Sequence, residues 1–168
     1  MTPVQGLVVV GVSDCRISQD EEASLITYAL GSCIAVAIHD PVARVGGLLH
    51  LMLPDSSIDS AKAAEKPYMF ADTGVPMLFH QAYAAGAVKS RLVVRVAGGA
   101  QVINDNGVFN IGKRNHLAVR KLLWRAGVLV ASESVGGTES RTVRLEVGSG
   151  RFWLRGPGSK EIELGGRL

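Results

Sequence analysis

The sequence predicts an α+β fold. Three observations predict it. Short runs rich in Val, Leu and Ile recur along the chain between clusters of Gly, Pro, Asn and Asp. Two longer segments instead place apolar residues at helical spacing. The strands come in runs interrupted by these helices, rather than alternating with them as in a wound α/β sheet.

Taken in order, residues 7–12 predict a buried strand and residues 25–29 a second extended segment. Residues 33–40 and 45–53 are two β-type runs on either side of a breaker-rich turn that starts at Pro41, which predicts an antiparallel hairpin. Residues 55–66 are polar and form a loop or a short helix. Thr73 is expected to cap a helix with Val75, Leu78, Phe79 and Ala82 on one face, Pro76 in its first turn and Gly86 at its exit. Residues 92–96 predict a strand ending in Gly98 and Gly99. After a turn at 104–107, a second helix places Val119, Leu122, Leu123 and Ala126 on its apolar face, with Arg120, Lys121 and Arg125 opposite and Gly127 as the stop. Strands follow at 128–131, 142–147 and 152–155, the last two forming a hairpin through the turn at 148–150. The single predicted domain spans 1–168, with 156–168 as a loose tail.

Composition excludes several classes of function. Of the 168 residues, 47% are hydrophobic and 20% charged, enough to bury a core and too balanced for a disordered chain. No apolar run approaches the roughly 20 residues of a membrane span, and no basic stretch precedes the first apolar run as in a secretory leader. A soluble cytoplasmic protein without direct membrane insertion is expected. Cys15 and Cys33 are too few for a disulfide framework or a four-ligand zinc site, so both are expected to be reduced. The net charge of +3 is spread over many arginines with no interleaved aromatic platform, which argues against nucleic acid. The basic helix face at 113–125 reads first as a solvated surface.

The candidate chemistry centres on Cys33 and His50. Gly31 and Ser32, just before Cys33, let the backbone turn and leave room beside the sulfur. Taken alone, a free cysteine is most often a small buried hydrophobe, and a histidine in an apolar strand is most often a hydrogen-bonded core residue. The hairpin changes that balance by bringing the start of one strand to the end of the other. An imidazole beside a thiol lowers the thiol pKa and produces a thiolate nucleophile. Such an imidazole needs a third group to fix its tautomer, and Thr27 is the candidate, although a Thr in a strand is unremarkable by itself. His39, His80 and His116 are expected to be solvated.

Two other patterns fail on inspection. Residues 107–113 match the first part of a phosphate-binding GxxxxGK loop, but Arg114 stands where a Ser or Thr must reach magnesium. Cys33, His39 and His50 lack a fourth ligand at useful spacing, so no metal is expected.

Thr27-Tyr-Ala-Leu-Gly-Ser-Cys33, Asp40-Pro41, Gly46-Gly-Leu-Leu-His50-Leu-Met-Leu-Pro54, Ala71-Asp-Thr73, Gly98-Gly-Ala100, Ile111-Gly-Lys-Arg-Asn115 and Gly136-Gly137 together resemble the chemoreceptor glutamine deamidase family, CheD. The resemblance runs from about residue 8 to 155. Thr27, Cys33 and His50, six and then seventeen residues apart, match the family's catalytic trio. Ser134, Ser140 and Leu145 depart from its pattern and bear on partner contacts more than on chemistry.

The resemblance implies a fold similar to the catalytic domain of the cytotoxic necrotizing factor toxins, with layered mixed β-sheets flanked by helices. It also implies a protein-glutamine amidohydrolase that converts glutamines of methyl-accepting chemoreceptor cytoplasmic domains to glutamates. Cys33 would be the nucleophile, His50 the general base and acid, and Thr27 the group orienting His50. A CheC-type phosphatase is a further implied partner, and no cofactor is implied. The Cys33 N–H is a candidate oxyanion donor whose direction the sequence does not fix. Two other readings stand beside this one: a non-catalytic adaptor for the receptor or phosphatase, and a cysteine hydrolase acting on another amide or on an ester.

Overall fold

The structure, a computed structural model, describes residues 6–101 and 110–165. The turn expected at 104–107 and the start of the phosphate-loop look-alike lie outside the described residues. In chain order the strands are β1 (Leu7–Val9), β2 (Asp14–Ser18), β3 (Ser24–Leu30), β4 (Ile34–Asp40), β5 (Val45–Leu51), β6 (Val93–Gly98), β7 (Val130–Val135), β8 (Arg141–Glu146), β9 (Phe152–Arg155) and β10 (Ile162–Glu163). The helices are α1 (Ser60–Glu65), α2 (Ala71–Ala84) and α3 (Ile111–Arg125).

The strands form two mixed sheets, ordered β1-β3-β8-β9-β10 and β2-β5-β4-β6-β7. The predicted hairpin is β4–β5, antiparallel from Ile34 opposite Leu51 to Asp40 opposite Val45. Both of its strands are buried throughout. Alternation along the strand sorts their side chains onto two faces. Ile34, Val36, Ile38, Leu49 and Leu51 pack with Val75, Leu78 and Phe79 of α2 and with Val119 and Leu123 of α3. Ala35, Ala37 and Leu48 face the first sheet, where they meet Leu25, Val143, Leu145 and Phe152. The result is three layers: sheet, sheet, helices. Each large aliphatic side chain buried this way contributes roughly 1.5–3 kcal/mol.

Small residues on the inter-sheet face let the layers approach. A Cβ at Gly46 would lie 3.1 Å from Val147 Cγ2, and one at Gly47 would lie 2.6 Å from Ile17 Cδ1. The glycine pair of the β5 motif therefore meets neighbours on both faces of the strand.

Several elements differ from the sequence expectation. The strand expected at 7–12 is the three-residue β1, with Leu7 and Val9 exposed because it lies at a sheet edge. β2, which pairs with β5, gives too mixed a pattern to be predicted. Thr73 does not cap α2; Phe70 holds that position, and the Thr73 hydroxyl donates back to the Pro67 carbonyl at 2.5 Å. The strand expected at 128–131 begins two residues later as β7. The expected loose tail instead pairs β10 antiparallel with β9. Leu145, one of the departures from the family pattern, is fully buried between the sheets, so its substitution falls in the core and not on a partner surface.

Candidate active site

The chain crosses from the first sheet to the second between β3 and β4, and residues 31–33 form that crossing. Just before it β3 carries an irregularity: its pairing with β8 shifts register between Thr27 and Leu30, and Ala29 adopts φ +54°. Such bulges re-aim a strand where it leaves a ladder.

Thr27, in the first sheet, reaches His50 on β5 of the second. Thr27 Oγ1 lies 2.7 Å from His50 Nδ1 and also 2.7 Å from the Val10 carbonyl, and both side chains are buried. A hydroxyl has one proton to give, and the Val10 carbonyl can only accept. The Thr27 proton therefore goes to Val10, and Thr27 Oγ1 accepts from His50 Nδ1–H. This fixes the tautomer and leaves His50 Nε2 with a free lone pair.

Cys33 precedes β4 by one residue. Ala35 lies opposite His50 in the ladder, and residues two apart on a strand share a face, so Cys33 and His50 are diagonal neighbours on one side of the sheet. The structure thus brings together all three residues that the sequence singled out. Among the described residues, no hydrogen bond joins Cys33 to His50.

The electrostatics differ from the sequence expectation of a thiolate. Burial pushes the Cys33 thiol above its ordinary value, a shift only partly opposed by its own backbone N–H. Burial also pushes His50 down to about 4. Both effects come from desolvation, which disfavours each charged form. Both shifts favour the neutral thiol and the neutral imidazole.

The crossing is pinned at three successive carbonyls. Ala100 N–H donates to Gly31 O at 2.9 Å, Asn115 Nδ2 to Ser32 O at 2.9 Å, and Gly99 N–H to Cys33 O at 2.8 Å. Gly98 has φ +110°, and a Cβ there would lie 2.2 Å from Cys33 O, so this position requires glycine. Arg141 ties the Gly98 carbonyl to the Gly136 carbonyl at 3.1 and 2.7 Å. Two sequence motifs far away in the chain, Gly98-Gly-Ala100 and Ile111–Asn115, thus converge on residues 31–33, and Gly136 supports the first of them through Arg141.

Asn115 was given no role from the sequence. It is fully buried, and its Nδ2 also donates to Met52 O at 2.8 Å. A signal was present: Gly112, Asn115, Val119 and Leu123 are the buried stripe of α3, and Asn115 is its one polar side chain able to hydrogen-bond.

The other histidines divide. His80 is exposed as expected. His39, expected to be solvated, is buried with Nε2 2.7 Å from the Val147 carbonyl, because the first sheet packs over it. His116 is half-buried and sits 3.0 Å from Glu133. Neither cysteine is bridged; Cys15 is buried, with its thiol pushed up to about 12 by desolvation and the neighbouring Asp14. Among the described residues, no group of three His, Cys, Asp or Glu side chains is placed to hold a metal ion, and no helix is long and apolar enough to cross a membrane.

Fold and site together define an α+β protein of two packed mixed sheets, carrying a thiol and a tautomer-fixed imidazole on one face of a strand pair. Residues 52–156 match the family model described as CheD chemotactic sensory transduction. That span begins just after His50. A protein of Solibacter usitatus named "Probable chemoreceptor glutamine deamidase CheD" is 58% identical over 94% of this chain and 92% of its own length. One from Syntrophus aciditrophicus, "Probable chemoreceptor glutamine deamidase CheD 1", is 50% identical over 95% and 99%. One from Anaeromyxobacter dehalogenans, "Probable chemoreceptor glutamine deamidase CheD 2", is 49% identical over 89% and 94%. The chain belongs to the CheD family.

Proposed function

We propose that this protein is a glutamine amidohydrolase that converts glutamine side chains of methyl-accepting chemoreceptors to glutamates, releasing ammonia, on the cytoplasmic side of the membrane. The observation that carries the reading is the Thr27–His50 hydrogen bond, which leaves an unprotonated Nε2 on the face that Cys33 shares. The names of relatives up to 58% identical over nearly the whole chain support the substrate.

In the proposed mechanism the neutral Cys33 thiol is deprotonated by His50 Nε2 as Sγ attacks the carboxamide carbon. The carbonyl π electrons move to oxygen, forming a tetrahedral oxyanion beside the Cys33 N–H. The imidazolium, held by Thr27, then gives its proton to the departing nitrogen, which leaves as ammonia, and a thioester remains. His50 next takes a proton from water as the water oxygen adds to the thioester. Collapse of that second intermediate releases glutamate and returns the proton to the sulfur. Amide hydrolysis of this kind needs a nucleophile, a proton shuttle and charge stabilisation, and no cofactor enters. Thr27 is a positioning residue in this scheme.

The proposal extends to the fold, as a relative of the cytotoxic necrotizing factor catalytic domain, and to a CheC-type phosphatase as a second partner. The activity is tested by incubating the protein with chemoreceptor cytoplasmic fragments and mapping glutamine-to-glutamate conversion by peptide mass spectrometry. Site-specific conversion is expected. A protein that binds the fragments and converts none would instead be an adaptor.

A further inference from the structure

We propose that Asn115 is the positioning residue for the oxyanion site: by gripping the Ser32 carbonyl it aims the Cys33 N–H at the oxygen that becomes charged. The inference rests on the reading of Cys33 as nucleophile.

The amide's orientation is fixed by its partners. Both partners of Asn115 Nδ2, Ser32 O and Met52 O, are carbonyl oxygens and can only accept. The NH₂ end must therefore face them, and Oδ1 points the other way. Among the described residues, that Oδ1 is buried without a hydrogen-bond partner, and an unmet buried acceptor is a cost that stability alone would select against.

What the arrangement provides is direction. Ser32 C=O and Cys33 N–H belong to one peptide group, and no peptide bond in the described chain is cis. In a trans peptide the two dipoles point in opposite directions. Holding the carbonyl inward on a fully buried side chain therefore turns the Cys33 N–H away from Asn115. Among the described residues, no backbone acceptor takes that N–H; it lies against its own sulfur instead. An oxyanion forms on the carbon bonded to that sulfur, so a donor beside Sγ is where the charge develops.

The second bond ties this geometry to the base. Met52 is two residues beyond His50, one residue past the end of β5, and its carbonyl is held by the same NH₂ group. One side chain of α3 thus sets the nucleophile's peptide against the exit of the histidine strand, across 83 and 63 residues of sequence.

The full-length protein and its Asn115→Ala and Asn115→Asp variants distinguish this role from a merely structural one. Two reactions of Cys33 are followed: alkylation by iodoacetamide, which forms no oxyanion, and deamidation of receptor fragments, which does. The expected result is a fall in deamidation kcat of about 10- to 100-fold with KM little changed, since loss of one oxyanion donor costs on the order of 100-fold. The rate and pH profile of alkylation should match the parent. A buried Asp can donate only when protonated, so the activity of Asn115→Asp relative to the parent should recover as pH falls. Deamidation within about threefold of the parent would overturn the proposal, as would alkylation falling in parallel with it, including through failure to fold. A third arm is independent of the receptor: a short aliphatic aldehyde adds the thiol across its C=O and should protect Cys33 from alkylation about 10-fold less well in the variants. Equal protection in variants and parent would overturn the proposal even if the parent deamidates no receptor, an outcome that would separately sink the functional reading.

Discussion

Thr27 accepts a hydrogen bond from His50 Nδ1 at 2.7 Å, across the interface between the two sheets. Because the Thr27 proton is already committed to Val10, this contact determines which imidazole nitrogen is basic. Thr27→Val preserves shape and removes the acceptor, so the Nδ1–H loses its partner and both tautomers become accessible. A lost buried hydrogen bond of about 1–3 kcal/mol corresponds to roughly 10- to 100-fold in rate. We expect that fall in kcat with KM unchanged, and near-parent activity for Thr27→Ser. Steady-state kinetics on receptor fragments would check both.

The neutral resting pair makes a prediction that an ion pair would not. With the Cys33 thiol above its ordinary value and His50 near 4, the rate of Cys33 alkylation should keep climbing through and beyond the ordinary thiol range as pH rises. A thiolate–imidazolium pair would give a plateau reached in acid. Iodoacetamide kinetics on the Cys15→Ala protein, measured from pH 5 to 10, separates the two.

Acid should destabilise the fold in two windows. His50 titrates near 4 when folded and about 6.5 when unfolded, so between these values the unfolded chain holds more protons. Its contribution is intact above pH of about 6.5 and is lost as pH falls toward 4. His39, also lowered by burial, acts in the same sense. Asp40 acts lower: burial opposes its ionisation, but Arg91 and the N–H groups of Val42, Ala43 and Val88 outweigh that and hold its carboxyl well below the usual carboxylate range. Its contribution is present above its unfolded value, about 3.9, and disappears below it. Melting temperatures should decline from pH 7 to 4.5, and His50→Gln should flatten part of that decline; a flat parent profile would contradict the assignment.

Asp40 also predicts a mutational cost at neutral pH. Its carboxylate is fully buried and accepts from two Arg91 nitrogens, Nε and Nη2, and from three backbone N–H groups. Asp40→Ala strands all of them, and removing one partner of a buried ion pair costs roughly 3–5 kcal/mol. Because Arg91 is partly exposed, the low end is expected, measured by urea denaturation.

How far the sequence alone reaches follows from how local each signal is. The β4–β5 hairpin was legible because its two apolar runs and the intervening turn are contiguous, and the meeting of Cys33 with His50 follows from that pairing alone. α2 and α3 were legible from periodicity. Thr27 was a candidate by residue type but gained weight only through the family resemblance, because its partner lies in the other sheet. His39 was expected in solvent because the carbonyl that holds it, Val147, is 108 residues away. Asn115 escaped for the same reason, since the carbonyls it binds are set by packing of α3 and not by any neighbour in sequence. The 162–163 strand was missed because two residues carry no period.

The central claim is that Cys33 is the nucleophile of a receptor glutamine deamidase, and the most direct test compares parent and Cys33→Ala on the same chemoreceptor fragments. Peptide mass spectrometry over a matched time course should find defined glutamines converted to glutamate by the parent and no conversion above background by Cys33→Ala, with the two proteins equally folded. Equal conversion by both would contradict the account.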